Sequence, residues 1–157
     1  MRWIDTDVDR ARWRTTLSHR PLPRLMIGVE YNPAQKEVVP LASLFLLYES
    51  RKRPAAFLGT SSDRIGSPEG TQCYFLTAMK ALHPRLSAYG TVNYSEWDEE
   101  LNFPFGADLD LGHGISIRPM YDGNRTHLTA SYSRNGASVT LLWAWLEEPG
   151  ISVSMGF

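Results

Sequence analysis

The chain has 157 residues, of which 43% are hydrophobic and 21% charged, a composition typical of one globular domain with its own core. Sixteen basic and seventeen acidic residues leave a net charge of −1, so there is no global electrostatic attraction to nucleic acid or to an anionic membrane. The single cysteine, Cys73, excludes an intrachain disulfide and any multi-cysteine metal site.

The first residues, MRWIDTDVDRARWR, are charged throughout and lack the apolar region of a secretory signal peptide. This indicates either a cytoplasmic protein or a chain given without its leader. The most apolar run, VVPLASLFLLY at 38–48, is too short for a transmembrane helix and contains Pro40. A helical membrane protein is therefore excluded. A membrane β-barrel is not, because its strands need only about nine to eleven residues.

Clusters of turn-forming residues divide the chain into segments of about eight to twelve residues, the spacing of an antiparallel meander. We find no repeat and no linker, and predict one β-barrel domain over residues 1–157, with the alternative that the chain is the C-terminal part of a longer barrel. The ten clusters are RPLP (20–23), NPAQK (32–36), ESRKRP (49–54), SSDRIGSPEG (61–70), LHPR (82–85), EWDEE (96–100), LGHG (111–114), YDGNR (121–125), SRNG (133–136) and EEPG (147–150).

Five segments alternate between apolar and polar residues, which predicts strands with one apolar face. In the last of them Val139, Leu141 and Trp143 share one face, and Ser138 and Thr140 share the other. Other segments are less regular, and 73–82 admits a short helix as the alternative to a strand. We predict an all-β fold, an antiparallel up-and-down barrel of about eight to ten strands. The five segments are 24–31, 101–110, 113–120, 126–133 and 137–147.

Two architectures fit these faces, because a soluble barrel turns the apolar face inward and a transmembrane barrel turns it outward to lipid. The polar faces are rich in Ser, Thr, Gly and Ala, which favours a narrow lumen over a solvated surface. Aromatic residues lie toward the predicted strand ends, as in the girdles of membrane barrels. These are Trp13, Tyr31, Tyr48, Tyr89, Tyr94, Trp97, Tyr121, Tyr132, Trp143 and Trp145.

The chain ends in GISVSMGF, with Ile151, Val153, Met155 and Phe157 at alternate positions. This pattern resembles the C-terminal β-signal of bacterial outer-membrane barrels, and the resemblance implies assembly by the barrel-assembly machinery and a location in outer-membrane lipid. The segment RPAAFLGTSSDRIGSPEGTQCYFLTAMKAL at 53–82 is loosely similar to a segment of YjbH-like outer-membrane proteins. Those proteins are associated with exopolysaccharide, so a polysaccharide is an expected partner.

Charged residues on the polar faces suggest ion pairs inside the barrel. Asp108 and Asp110 lie on the polar face of their segment, with Arg118, or Arg12 and Arg14, as candidate partners. We predict these five residues as lumen charges.

The longest turn, 61–70, is the candidate functional surface, because barrel function concentrates in long loops. Its charged residues are Asp63, Arg64 and Glu69.

No pattern of catalytic residues is present: the chain has no G-x-S-x-G elbow and no phosphate-binding loop. His113 and His127 would make a weak metal site without a third ligand, so we predict no metal, no cofactor and no enzymatic activity. The leading hypothesis is an outer-membrane β-barrel with a structural, adhesive or narrow-pore role. The alternative is a soluble lipocalin-like barrel that binds an apolar ligand, and an outer-membrane barrel enzyme is a third reading.

Overall fold

The computed structural model describes residues 1–7 and 12–156, and its elements are antiparallel β-strands. They are β1 (Arg2–Ile4), β2 (Trp13–Leu22), β3 (Leu25–Asn32), β4 (Glu37–Leu47), β5 (Ala55–Ser62), β6 (Gln72–His83), β7 (Leu86–Ser95), β8 (Leu101–Asn102), β9 (Phe105–Gly112), β10 (Ile115–Tyr121), β11 (Thr126–Arg134), β12 (Ala137–Ala144) and β13 (Glu148–Met155).

The strands close into a single up-and-down barrel, which confirms the predicted fold class. Apart from β8 and β9, each strand pairs with its neighbour in the chain, and β1 closes the wall by pairing Arg2 with Ser152 and Trp3 with Ile151 of β13. The two-residue β8 and then β9 pair with successive parts of β7, so they occupy one position in the wall. The wall therefore has twelve strands.

The strand number exceeds the predicted eight to ten for two physical reasons. β1 has only three residues, which is too few to display an alternation of polar and apolar side chains. β4 and β6 carry large apolar residues on both faces, and this weakens the period of two in their sequences. The helical alternative for 73–82 is wrong, because β6 pairs along its length with β5 and β7.

The two ends of the barrel differ in the length of their connections. We call one the turn end, because four of its connections, 23–24, 84–85, 113–114 and 135–136, have two residues each. His113, Gly114, Asn135 and Gly136 all have positive φ, the backbone of tight type I′ hairpins. A fifth connection at this end, 48–54, is longer. The opposite end, which we call the loop end, carries the connections 33–36, 63–71, 96–100, 122–125 and 145–147, all of them longer than two residues.

The outer face of the wall carries most of the large apolar side chains. Large apolar side chains point outward along most strands: Leu141 is 48% exposed, Trp143 39% and Val153 50%. Among the described residues, the buried apolar side chains are Ile4, Val39, Cys73 and Ala144 alone. The buried polar residues are more numerous: Thr6, Glu30, Asn32, Glu37, Ser62, Asp63, Ser67, Thr77, Asn93, Ser95 and His127. The barrel thus has an apolar exterior, and most of its buried residues are polar.

Outward-facing aromatic side chains concentrate near the loop end. Trp3 and Trp13 pair across β1 and β2 with ring centroids 6.4 Å apart, and Phe105 and Tyr121 pair across β9 and β10 at 5.4 Å. The register also places an aromatic pair on β6 and β7, Tyr74 opposite Tyr94. Tyr31 and Trp143 occupy equivalent positions on β3 and β12. These residues form an aromatic band on one side of the apolar exterior.

Candidate functional site

Two cavities are lined by inward-pointing side chains of the barrel. One, of about 430 Å³, is lined by Phe57, Phe75 and Met79 and extends to the polar pair Asp108 and Arg118. The other, of about 480 Å³, is lined by polar groups from opposite walls, including Thr140 and Ser152, and by residues 61–65 at the loop end. Both cavities therefore combine apolar and polar side chains, with more charged residues around the second.

The connection 63–71 lies against the lumen at the loop end. The carboxylate of Asp63 accepts hydrogen bonds from the Ser95 hydroxyl at 2.6 Å and from the backbone N–H of Arg64 at 2.7 Å. Arg64 forms an ion pair of 2.6 Å with Asp98, and its guanidinium stacks 4.8 Å from the centre of the Trp97 ring. These contacts fasten the connection 63–71 to the connection 96–100.

These contacts leave less of the predicted functional surface, the turn 61–70, exposed than the sequence suggested. Asp63 is only 3% exposed, because its carboxylate is used to bind groups of the neighbouring connection. Arg64 is held by Asp98, and of the three predicted residues only Glu69 is exposed. Asp63 and Arg64 therefore hold the end of the barrel together and present little surface to a partner.

The five predicted lumen charges are distributed differently from the expectation. Arg118 forms an ion pair with Asp108 at 2.6 Å, one of the pairings considered. Arg14 instead pairs with Glu30 at 2.8 Å, because Glu30 lies on the adjacent strand β3 and Asp108 lies on the distant β9.

The remaining two predicted lumen charges bind locally. Arg12 precedes β2, so the alternation of that strand does not extend to it, and its Nε donates to the carbonyl of Thr6. The carboxylate of Asp110 accepts from the backbone N–H of Gly112 at 2.7 Å at the turn end. Neither residue takes part in the predicted network of lumen ion pairs.

Asp122 and His127 connect two loops, an arrangement that sequence reasoning missed. Nε2 of His127 lies 2.7 Å from the Asp122 carboxylate, and the backbone N–H of Trp145 donates to Nδ1 of the same ring. Because Nδ1 accepts, the ring proton resides on Nε2, which donates to Asp122. Burial opposes ionisation of Asp122, yet the bonds from His127, Arg125 and Asn124 hold its pKa below the usual value.

Arg2 is the second lumen residue that the sequence did not single out. It lies on the inward face of β1, between Ser152 of β13 and Arg14 of β2. Its Nε and Nη2 atoms are buried and have no hydrogen-bond partner. The only signal in the sequence was its alternation with Trp3, and a three-residue strand is too short for that to be recognised.

The predicted assembly segment forms β13, the strand that completes the wall. Ile151 and Val153 face outward and Met155 is 73% exposed. The strand is paired on both edges, with β12 and with β1. Phe157, the last residue of the predicted signal, lies outside the described residues.

The structure offers no arrangement for a metal ion among the described residues, where no group of three His, Cys, Asp or Glu side chains comes together. His113 lies in a turn at the turn end and His127 near the loop end, so these two imidazoles do not face each other. Within residues 1–7 and 12–156, no helix is long and apolar enough to cross a membrane.

We compared the chain with models of protein families, with curated proteins and with solved structures, and none of the three comparisons found a match.

Proposed function

We propose that this protein is a small, non-enzymatic β-barrel of the bacterial outer membrane, with a narrow polar lumen. The observation that supports the proposal is the inversion of its two faces. Leu141, Trp143 and Val153 belong to an apolar exterior, whereas Ser and Thr hydroxyls, ion pairs and cavities occupy the interior. Such an extended apolar surface is unfavourable in water, and among soluble proteins large exposed apolar patches mark membrane or protein contacts.

The dimensions of the wall suit a bilayer. A strand of ten residues such as β2 is about 33 Å long, and tilted by about 45° it spans about 23 Å. The apolar band of outer-membrane barrels is about 25 Å tall. The aromatic band near the loop end would lie at one interface between lipid and water, where amphipathic rings are favoured.

The connections suggest an orientation. Bacterial outer-membrane barrels have an even number of strands, short periplasmic turns and longer extracellular loops. On this pattern the turn end would face the periplasm and the loop end the cell exterior. The role of β13 as a closing strand agrees with recognition of Ile151, Val153 and Met155 by an assembly machinery.

The alternative is a soluble lipocalin-like barrel that carries an apolar ligand. The cavity of about 430 Å³ lined by Phe57, Phe75 and Met79 favours it, because small-molecule pockets are usually apolar and of this size. The alternative requires the apolar exterior to be covered by something other than lipid.

Folding from denaturant distinguishes the two functions. Unfolded protein is diluted into buffer, into detergent micelles and into phosphatidylcholine vesicles, and each sample is run on a gel with and without heating. We expect a heat-sensitive mobility shift and resistance to protease only with detergent or vesicles, because the outer face needs an apolar environment. Folding to a monodisperse protein in buffer alone would contradict the membrane proposal and favour the soluble one.

A pair of variants tests whether the outer face contacts lipid. Leu141→Arg places a charge near the middle of β12, and Val38→Arg places one near the loop end of β4; both positions are exposed. In a bilayer we expect Leu141→Arg to cost about 2–4 kcal/mol and Val38→Arg about 0–1 kcal/mol, measured by denaturant unfolding from vesicles. In a soluble barrel both outward charges would be tolerated equally.

A further inference from the structure

Arg2 is a partly buried cation, and two of its three guanidinium nitrogens have no hydrogen-bond partner among the described residues. Its Nε and Nη2 atoms are shielded from solvent and make no hydrogen bond, and no ion pair joins it to a carboxylate. A guanidinium carries five N–H donors in a fixed plane, so leaving such a group buried and unsatisfied costs free energy. Buried charges are normally paired, so an unpaired one indicates a missing ligand.

The neighbouring charges are already used by other groups. The charge of Arg14 repels Arg2 and the charge of Glu30 attracts it. The Glu30 carboxylate, however, is paired with Nε of Arg14 at 2.8 Å. In the cavity of about 480 Å³ beside Arg2, Arg64 pairs with Asp98 and Asp122 pairs with His127. Rearrangement of these pairs to neutralise Arg2 would leave another buried charge without a partner.

Space and hydrogen-bond donors are available next to Arg2. It lines both the cavity of about 480 Å³ and a second one of about 610 Å³, which lies between β2 and β13. Ser152 lies directly opposite Arg2, and Thr140 lies opposite Ser152 on the next strand, with all three on the inward face. The Thr140 hydroxyl also hydrogen-bonds to the Ser131 hydroxyl at 2.8 Å, so it can donate to an anion while it accepts from Ser131. Hydroxyl groups beside a guanidinium are suited to the oxygen atoms of a phosphate or carboxylate.

We infer that the lumen holds a binding site for a small oxyanion, formed by Arg2 with the hydroxyls of Ser152 and Thr140. The anion supplies the missing counter-charge, and the planar guanidinium binds two of its oxygens. The site lies in the wall strands and not in a mobile loop, so it is formed before the anion arrives. It depends on the closed lumen alone and not on whether the outer face meets lipid.

The test is calorimetric titration of the folded protein in non-ionic detergent with sodium phosphate, and separately with sodium acetate, against sodium chloride at equal ionic strength. Arg2→Gln removes the charge, Arg2→Lys keeps it without the planar fork, and Arg51→Gln removes a charge from the connection 48–54, outside the lumen. We expect saturable binding of phosphate, acetate or both to the wild type and to Arg51→Gln. We expect binding about tenfold weaker or more in Arg2→Gln and an intermediate loss in Arg2→Lys.

Thermal unfolding keeps the inference testable if a variant is poorly folded. Whichever anion binds should raise the unfolding midpoint of the wild type and of Arg51→Gln, and should have no effect on Arg2→Gln, which is itself expected to be at least as stable as the wild type without anion. The inference is overturned if neither anion binds the wild type, or if both bind Arg2→Gln equally well. Neither result would affect the outcome of the folding experiment in lipid.

Discussion

Asp122 shows how one carboxylate can hold together an end of the barrel. It accepts hydrogen bonds from the backbone N–H groups of Asn124 and Arg125, within its own connection, and from the ring of His127. The His127 ring in turn accepts from Trp145, in the connection 145–147. Two loops that are separate in the sequence therefore share one hydrogen-bonded network.

We expect Asp122→Asn to destabilise the barrel by about 1.5–3 kcal/mol at pH 7, the usual value for hydrogen bonds to a charged group. The pKa of Asp122 is lowered in the folded state, so its contribution is present above the unfolded pKa of about 3.9 and disappears as the pH falls through the folded value. Denaturant unfolding at pH 7 and at acidic pH should show the difference between wild type and variant shrinking as the pH falls. Glu69→Gln, at an exposed position, is the control and should change stability by less than about 0.5 kcal/mol.

The sequence indicated the positions of His127 and Asp122 but not the contact between them. Alternation along 126–133 placed His127 on the polar face, and the cluster YDGNR placed Asp122 in a turn. Their contact, and the contact with Trp145, depends on which loops are neighbours at the same end, which follows only from closure and register. Arg2 could not be found for the same reason, because its burial results from closure by a strand of three residues.

At the scale of the strands, the pairing of β7 with β9 depends on a glycine beneath a tyrosine. Tyr89 lies opposite Gly106, and a Cβ added to Gly106 would come 2.7 Å from the Tyr89 hydroxyl and 2.8 Å from the carbonyl oxygen of Pro119. One of these neighbours is backbone and cannot move aside cheaply. The absence of a side chain at Gly106 therefore lets the Tyr89 ring lie over the adjacent strand.

We expect Gly106→Ala to destabilise the barrel by about 1–3 kcal/mol, because overpacking forces the tyrosine or the backbone to shift. Gly90→Ala is a matched control on the partner strand, since a Cβ at Gly90 meets no atom within 4 Å. The control should lie within about 0.5 kcal/mol of the wild type, as surface substitutions do. Denaturant unfolding of both variants in the same detergent is the measurement, and equal losses would contradict this account of Gly106.

The strands and turns were well predicted because the signals that specify them are local. All ten turn clusters fall on or overlap connections between strands, and Asn135 and Gly136 adopt the backbone expected of a tight hairpin. The number of strands was not predicted correctly, because β1, β4 and β6 lack a clear alternation of polar and apolar residues. Which face points inward was also open, since alternation is the same for a barrel and for its inverse.

The whole molecule has a separation of charge that its net charge of −1 conceals. Near the turn end lie eight basic residues (Arg20, Arg24, Arg51, Lys52, Arg53, Lys80, Arg85 and Arg134) and two acidic ones (Glu49 and Asp110). Near the loop end, among the described residues, lie thirteen acidic residues (Asp5, Asp7, Glu30, Glu37, Asp63, Glu69, Glu96, Asp98, Glu99, Glu100, Asp122, Glu147 and Glu148) and six basic ones (Arg2, Arg12, Arg14, Lys36, Arg64 and Arg125).

This separation was present in the sequence and was missed there. In an up-and-down meander every second turn lies at the same end, and ESRKRP and LHPR are basic where SSDRIGSPEG and EWDEE are acidic. Summing charge over the whole chain removed the signal, whereas summing it over alternate turns would have preserved it. The net charge gives the molecule no global attraction to nucleic acid or to an anionic membrane, but each end of the barrel carries a charge of its own.

Because its basic and acidic residues lie at different ends, the folded barrel should bind both negatively and positively charged surfaces. In non-ionic detergent at pH 7 and low salt, we expect the folded protein to bind a cation exchanger through its turn end and an anion exchanger through its loop end. Salt should release it from both, because exposed charges are screened over about 10 Å at 0.1 M ionic strength. Replacement of Arg51, Lys52 and Arg53 by Gln should cause earlier elution from the cation exchanger and no earlier elution from the anion exchanger. Replacement of Glu99 and Glu100 by Gln should do the reverse, and a folded protein that binds neither resin would show that the charges of the two ends are not separated in solution.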